Sequence, residues 1–293
     1  MITINEYSRP IYVVFDHCEK IKNYILDESV FDKNGFVFIL TSWYNTIYAV
    51  SIANLNPEFN VAILANSLEE KEFFETKTKR DVLFCNHNAF LNENKFKILG
   101  NLPRFYDLVI DSAFHEYKNT EKAKKIENVL HIGYFKRPNK YLKDNLIPSY
   151  GKLVNFVDGE YKLMNKIQIN TFYNQSCVGG IFSECEGACL ASSQYLLTGL
   201  PVISIKSRGG RDIWYNEYNS IICDNDEDSI YNAHQLALKK LESGEFNREK
   251  IRELHLQQMD EYRNTLIEYI KQNVLKEGEE IDVALVKRRF ACF

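Results

Sequence analysis

The stretch Ile181-Phe-Ser-Glu-Cys-Glu-Gly-Ala-Cys-Leu-Ala-Ser-Ser-Gln-Tyr-Leu-Leu-Thr-Gly-Leu-Pro-Val-Ile-Ser204, followed by Ser207-Arg-Gly-Gly-Arg-Asp212, decides the fold. It reads as an apolar strand, an acidic loop, a helix stopped by Gly-Leu-Pro, a second strand and a glycine loop. Two strand ends and one helix N-terminus then open toward one crevice, the place where open α/β sheets take their ligands. Amides of a helix starting near Gly187 and Ala188 carry partial positive charge suited to a diphosphate. Glu184 and Glu186 beside them are acceptors suited to sugar hydroxyls. A ligand with one anionic and one polyhydroxyl half is implied.

The segment resembles the donor-site signature of retaining GT-B glycosyltransferases, whose usual form is Glu-Gly, a short run, a second Glu and then Gly-Leu-Pro-Val. Here Glu186-Gly187 is the first element, Gly199 to Val202 is the last, and Gln194 stands at the second acid's position. Two more stretches are similar to motifs of a bacterial subgroup. Cys85-Asn-His-Asn-Ala-Phe90 resembles His-Asn-Ala-Phe. Glu116-Tyr-Lys-Asn-Thr-Glu-Lys-Ala123 resembles Phe-Lys-Arg-His-Glu-Leu-Ala, with Asn119 and Thr120 in place of Arg and His. The resemblance runs in order over residues 80 to 225. It implies an α/β, GT-B fold of two Rossmann-like domains facing a cleft, with a nucleotide-sugar donor on the C-terminal one. It further implies Glu186 near the donor hexose, a ribose contact kept by Gln194 without the charge, Lys118 on the diphosphate, and neither metal nor other cofactor.

Composition agrees with an enzyme of this size. With 293 residues, 45% hydrophobic content and a net charge of -4, the chain can bury one or two cores, and two modest domains fit best. No nucleic-acid partner is expected. The N-terminus lacks the basic-then-apolar form of a signal peptide, and no apolar run reaches the roughly 20 residues of a spanning helix, so a cytoplasmic location is expected. Of the seven cysteines, Cys85, Cys177, Cys189 and Cys223 sit in apolar contexts that suit reduced thiols. Cys185 and Cys189 lack a second Cys or His pair at ligand spacing, which argues against structural zinc.

Strand and helix patterns alternate. Apolar runs at 11–15, 36–41, 61–65, 82–85 and 108–111 predict a first Rossmann-like half; runs at 129–133, 153–156, 178–182, 202–205 and 220–223 predict a second. The division is placed at 112/113, giving an acceptor-side domain 1–112 and a donor domain 113–293. The Pro-containing stretch Lys136 to Tyr150 is a competing hinge or an exposed loop.

A departing diphosphate needs cations and amides aimed at its oxygens. Lys118 is the leading cation, with an ordinary solvated lysine as the alternative. Arg208 and Arg211 flank Gly209-Gly210, whose lack of side chains allows close backbone approach to the donor; Asp212 either joins that loop's ligand contacts or braces Arg211. Glu186 is the strongest single residue, Glu184 replaces it if the loop is shifted, and Ser183 suits capping. His87 follows a strand at its carboxyl end, between Asn86 and Asn88, and is a donor-sugar or acceptor contact. His115 is supported only by its nearness to Lys118. Trp214, Tyr215 and Tyr218 could stack on a sugar or base, but packing is the commoner use of such rings. At the end, Val283, Leu285 and Val286 with Lys287-Arg-Arg-Phe-Ala-Cys-Phe293 could dock peripherally at a membrane carrying a lipid-linked acceptor, or pack across the domains. Expected, then, is a metal-independent, retaining transferase for a glycan or lipid-linked acceptor. The Asn- and Lys-rich composition suggests a bacterial or phage surface polysaccharide. A sugar-nucleotide epimerase or hydrolase, and a degenerate carbohydrate- or nucleotide-binding subunit, are the alternatives.

Overall fold

The computed structural model describes residues 1–44, 46–100, 102–134, 152–157 and 160–291. A first sheet runs in chain order through β1 (Ile2–Ile4), β2 (Ile11–Phe15), β3 (Phe36–Leu40), β4 (Asn60–Ala65) and β5 (Asp81–Phe84). β1 is antiparallel to β2, and the other neighbours are parallel. Every residue of β3 is buried, as a strand covered on both faces requires. Because β2 to β5 lie side by side in chain order, right-handed crossovers put α1 (Tyr48–Leu55) and α2 (Leu68–Glu75) on one face. There Val14, Val37, Ile39 and Ile63 meet Ile52, Ala53 and Phe74.

The second sheet is built from β6 (Tyr106–Ala113), β7 (Val129–Tyr134), β8 (Lys152–Leu153), β9 (Ser176–Ile181), β10 (Val202–Ile205) and β11 (Ser220–Cys223). All are parallel, in the order β8-β7-β6-β9-β10-β11. Helices α3 (Lys166–Asn174), α4 (Leu190–Leu197) and α5 (Glu227–Glu242) follow β8, β9 and β11. α4 ends as Gly-Leu-Pro predicted. Gly199 takes φ 68°, its N–H bonds Leu196 O, and Leu200 N–H bonds Tyr195 O, a Schellman stop.

Two expectations are corrected. The run Leu108–Asp111, assigned to the first half, is the centre of the second sheet, with Leu108 paired to both Val129 and Val178. Apolar periodicity marks a strand without saying which sheet it joins. The chain therefore passes between sheets after Phe84 and before Tyr106, ahead of the division expected at 112/113. The run 153–156 is split: Lys152–Leu153 pairs with β7, and Phe156–Val157 pairs with Glu160–Tyr161. The competing hinge at Lys136 to Tyr150 lies outside the described residues.

One face of the first sheet is left without crossover helices, and the C-terminus supplies the cover. Leu266, Ile267 and Ile270 of α6 (Arg248–Asn273), with Val286 and Phe290 of α7 (Val283–Phe290), pack on Val13, Phe38, Leu40 and Leu64. Of the two readings of the C-terminal segment, packing is what the described residues show; Cys292 and Phe293 lie outside them. Among the described residues no helix is long and apolar enough to cross a membrane. Arg263 pins α6 down. It is 3% exposed, and its guanidinium donates to Ala89 O at 2.6 Å, Leu91 O at 3.1 Å and Glu93 Oε2 at 2.9 Å. Arg263→Ala leaves those carbonyls and Glu93 unpaired and is expected to cost about 3 kcal/mol in urea unfolding. Arg263→Lys should recover little of it, because an ammonium cannot span the fork.

Candidate active site

The order of the second sheet reverses at β6: the chain goes on to β7 on one side, while β9 lies on the other. Loops leaving the carboxyl ends of β6 and β9 therefore part and open a crevice. Lys118 sits on the first loop, in the short 3-10 turn Glu116–Lys118. Glu186 sits on the second, in a two-residue strand paired in parallel with Arg208–Gly209. Lys118 Nζ donates to Glu186 Oε1, and Ser183 Oγ donates to the same oxygen at 2.5 Å. Asn119, at φ 49°, turns its loop so that its Nδ2 donates to Phe182 O at 2.9 Å. The Lys118 and Glu186 side chains are only 11% and 8% exposed. Burial works against the Lys118 ammonium, but the Glu186 carboxylate leads the charges that outweigh it, so the Lys118 pKa stands above the ordinary value. A lysine and a glutamate that the sequence assigned to the two halves of one ligand are thus bound to each other.

Gln194 lies on α4, the helix that follows β9. The single proton of the Tyr173 hydroxyl is shared between Asp111 Oδ2 at 2.5 Å, the nearer acceptor, and Gln194 Oε1 at 3.1 Å. Burial lifts the Asp111 carboxyl to about 6, against the Tyr173 hydrogen bond and the Lys118 charge. Glu184 points elsewhere: it is exposed and accepts from Asn225 Nδ2, beside a cavity of about 370 Å³ lined also by Ser207 and Arg208.

The glycine loop has a different use from the one expected. A Cβ on Gly209 would lie 1.8 Å from Glu186 O, and one on Gly210 would lie 2.5 Å from Asn66 O. Gly210 N donates to Gly187 O at 2.7 Å, and a Cβ on Gly187 would stand 2.7 Å from Ser42 O. Gly209 clears the Glu186 backbone within its own domain, while Gly187 and Gly210 let the two domains approach closely. Arg211, expected at the donor, is fully buried; its guanidinium donates to Ser183 O at 2.7 Å, to Ile205 O and to Asp212 Oδ1 at 2.8 Å. The bracing alternative for Asp212 is the one observed, with Oδ2 also accepting from Ser207 N at 2.7 Å. Arg208 stays exposed, over the Tyr44 ring.

His87 is where expected, past β5, but buried. Its Nδ1 donates to Thr41 O at 3.0 Å, and burial lowers its pKa to about 4, so the ring is neutral at pH 7. Its neighbours do the joining. Asn86 Nδ2 donates to Gly210 O at 2.8 Å, and Asn88 Nδ2 donates to Ala188 O at 2.8 Å and Cys189 O at 3.1 Å. α4 consequently starts at Leu190, past Gly187 and Ala188, from a Cys189 held at φ 56°. Trp214 is core, edge-on to His255 and Tyr262; Tyr215 is bonded to Ser192 Oγ; Tyr218 lies outside beneath Lys250. His115 is exposed beside Tyr117. Among the described residues no group of three or more His, Cys, Asp or Glu could hold a metal ion. Sequence reasoning missed Asp16, His17 and Ser42, at the carboxyl ends of β2 and β3; the rule that singled out His87 applies equally to them.

No family model matches the chain, and no curated protein matches it in sequence. Solved structures do match its fold. It is similar to the sucrose-phosphate synthase of Thermosynechococcus elongatus (TM-score 0.55, 15% identity, 79% of this chain and 74% of that one). It is also similar to Anabaena HepE in complex with UDP-glucose (TM-score 0.58, 11% identity, 81% and 78%). TarM gives a TM-score of 0.57 at 14% identity, over 82% of this chain and 50% of that one. The chain has the fold of these proteins: GT-B, two Rossmann-like domains facing a cleft.

Removing either member of the buried pair strands the other's charge. Lys118→Met and Glu186→Gln are each expected to lose about 3 kcal/mol of unfolding free energy, while the double variant loses clearly less than the sum. Additive losses in a denaturant cycle would mean that the two do not interact in solution.

Proposed function

We propose that the chain is a glycosyltransferase that moves a sugar from a nucleotide-sugar donor to a glycan or lipid-linked acceptor, in surface polysaccharide synthesis at the cytoplasmic side. The observation that supports this best is the Lys118–Glu186 pair at the switch point of the donor-domain sheet. Breaking a sugar–phosphate bond leaves charge on the diphosphate, and a cation already positioned and desolvated stabilises it without reorganisation. In this reading Lys118 turns from Glu186 to the diphosphate, Glu186 accepts from donor hexose hydroxyls, and Gln194 reaches the ribose. Retention and independence of a metal rest on the likeness of Glu186-Gly187 and Gly199 to Val202 to the retaining signature. HepE in complex with UDP-glucose and pneumococcal GtfA in complex with UDP and GlcNAc make uridine nucleotides the first probes.

A second reading, a binding subunit without turnover, is favoured by the engagement of Gln194 with buried Tyr173. Calorimetry with UDP, GDP and CDP, followed by nucleoside diphosphate release from the matching sugar donors, separates the two. Binding with turnover supports the transferase, and Glu186→Gln should then lower turnover about 100-fold while the diphosphate still binds. Binding without release from any donor and acceptor supports the subunit, and no binding at all removes both.

A further inference from the structure

Asp111, Tyr173 and Gln194 form a polar triad whose carboxyl has no task in the transfer proposed above. Asp111 lies near the carboxyl end of β6, Tyr173 on α3 and Gln194 on α4. Tyr173 is fully buried, whereas Asp111 and Gln194 are half-buried. The Tyr173 hydroxyl stands 2.5 Å from Asp111 Oδ2 and 3.1 Å from Gln194 Oε1. The Asp111 backbone is fixed as well, since its N–H donates to Tyr195 Oη at 2.7 Å. The charge that bears on Asp111 is that of Lys118, itself paired with Glu186. The other titratable groups of the cluster stay neutral: burial holds the Tyr173 and Tyr195 hydroxyls well above the usual phenol range and pushes the Cys189 thiol up to about 12.

Proton counting gives the triad two arrangements. One hydroxyl carries one proton, and a carboxamide presents an acceptor at one end and donors at the other. With Asp111 protonated, its O–H donates to Tyr173 Oη, the Tyr173 proton goes to Gln194 Oε1, and the Gln194 amide nitrogen is turned away from the tyrosine. With Asp111 ionised, the carboxylate only accepts, so the Tyr173 proton goes to Oδ2, the nearer neighbour. Tyr173 Oη then meets Gln194 as an acceptor. A half turn of the carboxamide brings Nε2–H to that oxygen and turns Oε1 outward. Burial lifts the Asp111 carboxyl to about 6, so the ionised arrangement prevails at pH 8 and the protonated one at pH 5. Tyr173 itself is too deep for a ligand to touch, which leaves the outward end of Gln194 as the part of the triad that reads one out.

We propose that Asp111, acting through the Tyr173 hydroxyl, is a positioning residue that decides which end of the Gln194 carboxamide faces the donor ribose; this rests on the glycosyl-transfer reading. With Asp111 ionised, Oε1 faces the ribose and takes a hydrogen bond that a ribose hydroxyl donates. A neutral amide thereby serves as an acceptor where a carboxylate would stand as a second anion close to Asp111. With Asp111 protonated, the amide nitrogen faces the ribose and the hydroxyl is met as an acceptor instead. Fluorine in place of that hydroxyl has no proton to give, so it is penalised in the first state and tolerated in the second.

The first arm is NMR of the full chain with ¹³C-labelled aspartate and ¹⁵N-labelled glutamine, and needs no ligand. The Gln194 side-chain signal, identified by its loss in Gln194→Leu, is expected to shift with the same midpoint as the Asp111 carboxyl, and to stop doing so in Tyr173→Phe and in Asp111→Asn. A Gln194 signal that stays put across the Asp111 titration overturns the proposal. The second arm is calorimetry with UDP-glucose and with its analogues carrying fluorine for the ribose 2′- or 3′-hydroxyl, none of which titrates between pH 5 and pH 8. At pH 8 UDP-glucose should bind about fivefold tighter than one of the analogues, the effect of one neutral hydrogen bond, and at pH 5 the difference should shrink to within about twofold. Asp111→Asn should show the same ratio at both pH values. In the unmutated chain, a ratio that does not change with pH overturns the proposal. Failure of that chain to bind UDP-glucose, GDP-mannose or a CDP-sugar would instead remove the glycosyl-transfer reading, while the coupling of Asp111 to Gln194 still stands or falls on the first arm.

Discussion

A lysine and a glutamate buried against each other at a sheet's switch point constrain everything around them, because each is tolerable there only while the other is present. Desolvating two such ions costs several kcal/mol apiece, and the attraction between them offsets this only with good geometry and further hydrogen bonds. Ser183 supplies one such bond to Glu186, and Asn119 fixes the loop that presents Lys118. In the proposed glycosyl-transfer reading, the pair is a prepared cation and a prepared acceptor, neutralising each other until an anionic, hydroxyl-rich ligand offers both a better partner.

The rest of the chain holds that crevice in place. Consecutive strand order leaves one face of the first sheet uncovered, so α6 and α7 must return across the molecule to bury it. The same return carries Arg263 to the 89–93 segment, directly after Asn86, which bonds Gly210 O, and Asn88, which bonds Ala188 O. Gly187 and Gly210 then let the domains meet with no side chain between the backbones. The substrate contacts proposed above and the observed domain contact thus share the same few loops, and Asn86 and Asn88 flank His87 for a structural reason.

Much of this was legible in the sequence, and the failures have identifiable causes. Short apolar runs gave β2, β10 and β11 with their observed ends, because a buried parallel strand must be apolar throughout. Sheet membership of β6 was not legible: pairing is non-local, and periodicity carries no partner information. Lys118 and Glu186 stood out through motif spacing, but their mutual pairing did not, since the loops that carry them are separated by β7, β8, α3 and β9. Arg211 and the glycines were misjudged for a shared reason. A glycine flanked by arginines implies close approach, and nothing in the chain says whether ligand or protein does the approaching. Asp16, His17 and Ser42 required two strand ends to be superposed, which only the fold does.

The most direct test is a crystal structure of the chain with a bound nucleoside diphosphate, UDP first. Lys118 Nζ should leave Glu186 Oε1 for a phosphate oxygen at about 2.8 Å, the spacing of a charge-assisted hydrogen bond, with Glu186 turned to the vacated sugar side. A diphosphate bound elsewhere, with the Lys118–Glu186 pair intact, would contradict the account.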